Sequence, residues 1–324
     1  MRLALGLTTI ALGVSLLAPT GAAAATEFGD NCVATEPTNA PLTFFQISSP
    51  SSPLPQAAPT AGIITKWKTS LVPTAPPGVA QTLQVVRILS PGAPGSAQIV
   101  GQKSATLTNG PNVIDVRIPV QAGDRLGLYG PLPFGNIFCN APGQPSTFGV
   151  FEGSGSPGAT VPFFESPGVP IRIPVAAVIE PDADSDGFGD ETQDGCPQSA
   201  AAQGPCPVTV VDTFPLTKKG KVVVLVATSA TTTVTVTGSA KLPKAKKAGS
   251  SAQAKLAKVT RVVAAGTLTR FSLNFPGKLR SAIAALPKGR SIGLKLTARA
   301  ANLTGPATTD RAQVKLKGTG AKRK

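Results

Sequence analysis

Most of the chain's concentrated chemistry lies in one stretch. Asp182-Ala183-Asp184-Ser185-Asp186-Gly187-Phe188-Gly189-Asp190-Glu191-Thr192-Gln193-Asp194 places 6 carboxylates in 13 residues. Acids at the first, third, fifth and ninth positions, with a glycine at the sixth and a main-chain carbonyl at the seventh, form the first part of an EF-hand-type loop, in which successive oxygens fold around one hard cation. Gly187 permits the tight bend this needs. The expected metal ligands of this pattern are Asp182, Asp184, Asp186 and Asp190, with the carbonyl of Phe188, and the expected ion is Ca2+. Mg2+ fits less well, because it prefers a small octahedral shell and keeps its own waters. Without a cation the converging carboxylates repel one another and raise each other's pKa, so ion binding is partly folding energy. A solvated acidic linker would scatter its acids instead of ordering them.

The run Asp182-x-Asp184-x-Asp186-Gly187-x-Gly189-Asp190, closed by Asp194-Gly195-Cys196-Pro197, resembles a thrombospondin type 3 repeat of the kind found in bacterial secreted and surface proteins. The resemblance spans about 16 residues. It implies calcium held by the aspartates and the Phe188 carbonyl, with a neighbouring cysteine stapling the wrap. The chain departs from the family pattern at the twelfth loop position, where Gln193 stands in place of an acid and Asp194 comes one residue later. A one-residue bulge that brings in Asp194, substitution by Glu191, or water would complete the shell. A single copy suits a stiffened joint better than an extended stalk.

Other chemistry is sparse. The chain has no histidine, which excludes Ser-His-Asp and Cys-His catalysis and any His-dependent zinc site. Asp115, Asp124, Glu152 and Glu165 could supply a carboxylate pair for glycoside cleavage, but nothing in their spacing sets two of them against each other. Trp67, between Lys66 and Lys68, could join Tyr129 in a sugar-binding platform. This makes a carbohydrate-binding module, or an accessory protein of an extracellular hydrolase, the alternative to a non-catalytic structural or adhesion protein. The four cysteines, Cys32, Cys139, Cys196 and Cys206, read as two disulfides in an oxidising compartment. Three pairings are open, and the preferred one joins Cys32 to Cys139 and Cys196 to Cys206.

The opening MRLALGLTTIALGVSLLAPTGAAAA has the order of a cleavable signal peptide: Arg2, an apolar run from Leu3 to Ala18, then small residues with Ala23 and Ala25 before the cut. Residues 1–25 are therefore expected to direct export to a secreted or cell-surface location, and no later stretch is long and apolar enough to span a membrane. With 34 Gly and 32 Pro among 324 residues, long helices are disfavoured and short strands joined by turns are favoured. Charge divides the chain beyond the leader into three parts. Residues 26–180 carry 7 Lys+Arg and 8 Asp+Glu, residues 181–207 carry 6 acids and no base, and residues 208–324 carry 23 bases against Asp212 and Asp310.

Alternating apolar positions predict strands in both flanking regions. Clear cases are Ile114, Val116 and Ile118 in the first, and Ile292, Leu294 and Leu296 in the last. The expected fold is all-β: a jelly-roll-like sandwich over 26–180, a calcium-binding linker over 181–207, an immunoglobulin-like sandwich over 208–318 and a basic tail over 319–324. The basic region, with Lys244, Lys246, Lys247, Lys255, Lys258, Arg261, Lys315 and Lys317, should attract an anionic cell-envelope polymer. Specific nucleic-acid binding is not expected, because reading motifs and stacking aromatics are missing.

Overall fold

The computed structural model describes residues 24–37, 40–76, 78–131, 137–243, 252–301 and 306–318. Most of the expected leader, the cluster of Lys244, Lys246 and Lys247, and the basic tail lie outside them.

Thirteen strands precede the acidic loop: β1 (Thr26–Asp30), β2 (Glu36–Pro37), β3 (Leu42–Ser48), β4 (Gly62–Leu71), β5 (Val79–Ser90), β6 (Gly95–Leu107), β7 (Gly110–Val120), β8 (Arg125–Tyr129), β9 (Ile137–Asn140), β10 (Ser146–Glu152), β11 (Thr160–Val169), β12 (Ile171–Arg172) and β13 (Val175–Glu180). The architecture is almost entirely β, as expected, but its first part contains a closed barrel where the sequence led to the expectation of a jelly-roll-like sandwich. Six strands close into a barrel in the order β10-β11-β6-β5-β8-β3, β3 pairing back onto β10. A four-stranded sheet, β1-β13-β4-β7, packs beside it, and a small sheet, β12-β9-β2, completes the unit.

Two local features make closure possible. Bulges shift the register in β5 between Val85 and Val86 and in β10 between Thr147 and Phe148, and bulges bend strands. At Gly149, where β10 faces β3, the Phe45 ring occupies the space a Cβ would need. The β5 bulge also explains that strand's imperfect alternation. Leu83 and Val85 face a large core shared with the four-stranded sheet, whereas Val86 turns into the barrel with Phe45, Ile99, Phe151 and Phe163. The shared core is centred on fully buried Trp67, Phe28, Ile64 and Leu128. A disulfide ties Cys32, just after β1, to Cys139 in β9.

The second part begins after the loop: β14 (Val208–Leu216), β15 (Lys221–Thr228), β16 (Thr232–Lys241), β17 (Gln253–Val263), β18 (Thr269–Asn274), helix α1 (Gly277–Ala285), β19 (Ser291–Ala300) and β20 (Thr308–Lys317). Two antiparallel sheets, β14-β15-β18 and β17-β16-β19-β20, share one core. The apolar run Val222–Val226 forms the centre of the smaller sheet, and α1 adds Leu279 and Ile283 to the core. No helix among the described residues is long and apolar enough to cross a membrane.

Candidate metal centre

Residues 181–207 contain no strand or helix, so side chains and main-chain turns must hold this segment in place. The first wrap begins at Pro181, whose carbonyl accepts the Asp190 N–H at 2.9 Å and closes it. Inside that wrap the Asp182 carboxylate accepts the N–H groups of Asp186 (3.0 Å) and Gly187 (3.1 Å). The Asp186 carboxylate accepts from the Phe188 N–H at 2.9 Å and from the Gln203 side-chain amide at 3.1 Å. Ser185 and Gly187 both take positive φ, 60° and 87°, and Gly187 does so without the Cβ cost borne by Ser185.

The result is a convergent set. One carboxylate oxygen from each of Asp182, Asp184 and Asp186 lies within 4.8 Å of the others. Asp190 and Asp194 are more deeply placed, at 5% and 2% exposure. Burial pushes the Asp190 carboxyl up to about 6, reinforced by the neighbouring charges of Asp182, Asp184 and Asp194 and opposed by a hydrogen bond from the Ala183 N–H. Asp194 is raised by burial first and then by the charges of Asp186, Asp184 and Asp182.

Asp194 reaches this position through a widened turn. The Gly189 carbonyl accepts both the Gln193 N–H (3.0 Å) and the Asp194 N–H (2.9 Å), the second being an i→i+5 closure that inserts one extra residue. Glu191 is exposed and accepts the N–H of Ala25, a residue of the expected leader, at 2.6 Å. Gln193 is engaged as well: its amide donates to the Val116 carbonyl at 2.7 Å and accepts the Gly189 N–H at 3.4 Å.

Most carboxylate oxygens of the wrap are spent on protein donors, and a few are not. Both oxygens of Asp184 and the Oδ2 of Asp194 are buried without a hydrogen-bond partner. A buried acceptor left unpaired costs about 1–3 kcal/mol, more when charged. The two Asp184 oxygens, converging with Asp182 and Asp186, form a donor set of the hard, anionic kind that suits a divalent cation, whereas Asp190 and Asp194 are not among the carboxylates that converge within 4.8 Å. The main-chain carbonyl of Phe188 belongs to the same stretch, and its ring lies beneath the Arg117 guanidinium, 4.0 Å from centroid to Cζ.

Sequence reasoning missed the residue that anchors the loop. Glu180 ends β13 and is 2% exposed. Its carboxylate accepts four hydrogen bonds: Thr65 Oγ1 (2.8 Å), Thr192 Oγ1 (2.7 Å), and the N–H groups of Glu191 (3.0 Å) and Thr192 (2.9 Å). Burial alone would raise its pKa, but these donors hold it below the usual carboxylate value. Thr65 sits at a bulge in β4, which gives the sequence no warning of its role; an acid abutting Pro181 and the acidic run was the one available signal. Gly189 packs so closely here that a Cβ would lie 2.6 Å from both the Glu180 carboxylate and the Thr65 methyl.

The far end of the loop meets the C-terminal sheets. Cys196 is bonded to Cys206, and both pack with Ala230. Gln198 accepts the Thr231 N–H at 3.3 Å, and Thr308 donates to the Cys206 carbonyl at 2.6 Å. The loop therefore grips β4, β7 and β13 on one side and the β15–β16 turn on the other.

The remaining candidates do not assemble. Asp124 is paired to Arg87 (2.8 and 2.9 Å), Asp115 to Lys66, and Glu165 accepts the Gly92 N–H, while Glu152 is exposed. Trp67 is completely buried and cannot offer a sugar-stacking face with Tyr129, because its inward position on β4 places it at the centre of the core. Compared with known proteins, the chain matches no family model and no curated protein.

Proposed function

We propose that this chain is an exported, non-catalytic structural protein whose acidic loop binds Ca2+ and locks the joint between the barrel-containing unit and a C-terminal immunoglobulin-like sandwich. The observation that carries the reading is the convergence of the Asp182, Asp184 and Asp186 carboxylates within 4.8 Å, with both Asp184 oxygens buried and unpartnered. Calcium is favoured over magnesium by the chemistry of the donors: the loop offers carboxylates and a carbonyl in an all-protein set, whereas Mg2+ dehydrates reluctantly and keeps several of its own waters. The assigned ligands are Asp182, Asp184, Asp186, Asp190 and Asp194, with the Phe188 carbonyl. Export is supported by the leader and by the two disulfides, and the loop's likeness to a thrombospondin type 3 repeat agrees with a surface or secreted setting.

Calorimetric titration of residues 26–324 with calcium tests this reading. Millimolar calcium is expected to bind with a stoichiometry of about one, raise the thermal midpoint and protect residues 181–207 from protease. Magnesium at the same concentration should do much less. A thermal profile unchanged between chelator and millimolar calcium would overturn the assignment.

A further inference from the structure

The outer face of the larger C-terminal sheet carries a charge pattern that the total charge does not reveal. In the β19–β20 pairing the outward rungs are Ser291 with Lys317, Gly293 with Lys315, Lys295 with Gln313, Thr297 with Arg311, and Arg299 with Thr309. Each of these five rungs holds one cation beside one uncharged residue. The intervening rungs, such as Ile292 with Leu316 and Leu294 with Val314, point into the core. Same-face residues recur every two positions, so one positive charge succeeds another at roughly 6.6–6.8 Å, over about 27 Å of sheet. All five cations are exposed.

The neighbouring strands continue the design. On β16, Ser239, Thr237 and Thr235 stand beside Lys295, Thr297 and Arg299, and Lys255 of β17 lies beyond Ser239. Between Lys255 on one side and Lys295 and Arg311 on the other is a shallow concavity of about 610 Å³ floored by Thr237 and Ser239. Among the described residues no acid shares this face. Asp310 belongs to an inward rung and accepts the Val210 N–H at 2.8 Å, and Asp212 lies on β14 in the other sheet. The ion pairs among the described residues all lie in the N-terminal unit, so these cations are not spent on internal partners. Lysines on an edge strand commonly block sheet-to-sheet pairing, which would account for Lys315 and Lys317 on β20. It does not account for Lys295 and Arg299 on the inner strand β19.

From this charge complementarity we infer that the β16–β19–β20 face is a docking surface for a linear polyol-phosphate polymer lying along the strands. Each phosphodiester would meet one Lys or Arg, with the hydroxyls of Ser239 and Thr297 donating to its remaining oxygens, while those of Thr235 and Thr237 are engaged with Thr260 and the Thr297 carbonyl. A phosphodiester chain suits the ladder because its charges recur singly at a regular interval. Single-stranded nucleic acid shares that backbone, but its binders add aromatic platforms for the bases. Here Phe271 and Phe275 are buried, and Val262 on β17 is the only large hydrophobic residue of this sheet exposed among the described residues. The inference does not depend on the calcium reading.

The test uses residues 26–324 and poly(glycerol phosphate), with single-stranded poly(dT) at equal phosphate concentration as comparison. Binding to poly(glycerol phosphate) should weaken steeply with salt. The triple variant Lys295→Gln/Arg311→Gln/Lys315→Gln should lose at least tenfold in affinity and flatten the log–log salt slope by about two. The control Lys218→Gln/Lys219→Gln/Lys278→Gln removes the same charge from the 3-10 turn before β15 and from α1, and should stay within twofold of the parent. All substituted side chains are exposed, and equal thermal midpoints would confirm intact folding. Equal losses in the two triples would overturn the inference, because the charge would then act as a diffuse cloud. A tenfold preference for poly(dT) would overturn it in favour of nucleic acid, and absence of binding at low salt would overturn it outright.

Discussion

Two groups of buried carboxylates lie within a few residues of each other and meet opposite fates. Glu180, at the end of β13, is finished by four protein donors, and its pKa falls despite burial. Asp190 and Asp194, on the adjoining wrap, are buried to a similar degree but face other carboxylates, and their pKa values rise. Burial is common to both, so it does not decide the outcome. What decides it is whether protein donors fill the lone pairs or leave them for something else. The first arrangement is a clamp, complete in the protein alone, and the second leaves oxygens without protein donors, open to a cation.

The sharpest way to break this comparison is to remove each partner in turn. Glu180→Ala strands two hydroxyls and two N–H groups, and should cost about 3–5 kcal/mol in urea unfolding whether or not calcium is present. A loss that calcium fully restores would show that Glu180 belongs to the metal centre and not to a clamp. Asp184→Ala should behave in the opposite way. In chelator it removes two unpartnered buried oxygens and one repelling charge, so stability should hold or rise. In calcium it should forfeit most of the ion's stabilisation, which is about 2.7 kcal/mol for parent protein at a hundredfold excess over Kd. A variant that is destabilised in chelator and still responds fully to calcium would show that Asp184 is structural.

A smaller effect is expected at the contact between the two groups. Gly189→Ala forces a methyl against the Glu180 carboxylate and Thr65 and should cost about 1–3 kcal/mol. Limited proteolysis should then cut within 181–207 sooner than in the parent, and unchanged cutting would mean that the loop is not held at this point.

The smallest effect should come from pH. In chelator, the raised pKa of Asp190 means that its protonated form favours the folded state. That contribution is fully present below the ordinary aspartate value of about 3.8 and is lost as pH rises through about 6. Calcium requires the ionised carboxylate, so the stabilisation it confers should grow across the same interval. Thermal midpoints from pH 4 to pH 7, with and without calcium, should diverge progressively, and parallel curves would remove Asp190 from the centre.

Legibility differed from element to element. The alternation of Val116 and Ile118, or of Ile292, Leu294 and Leu296, shows directly in the sequence because a half-buried strand imposes a two-residue period. β1, β9 and β13 gave weaker signals. Phe28, Cys139 and Ala177 are buried there in short segments with too few apolar repeats to stand out. The barrel was illegible, because closure rests on long-range pairing of β3 with β10 and on bulges that a linear pattern records only as broken alternation, as in β5.

The sequence by itself determined that acids at alternate positions around Gly187 would converge, that β-structure would dominate, and that the basic charge would gather after residue 207. Each of these stems from local spacing or composition. Tertiary structure alone decided that Glu180, and not an aspartate, would be satisfied by Thr65 and Thr192, and that an i→i+5 turn would bury Asp194 where the charges of Asp182, Asp184 and Asp186 act on it. It also decided that the β19–β20 register would set one cation on every outward rung. These outcomes depend on which distant groups are brought within hydrogen-bonding or pairing distance, and that is settled only when the strands find their partners.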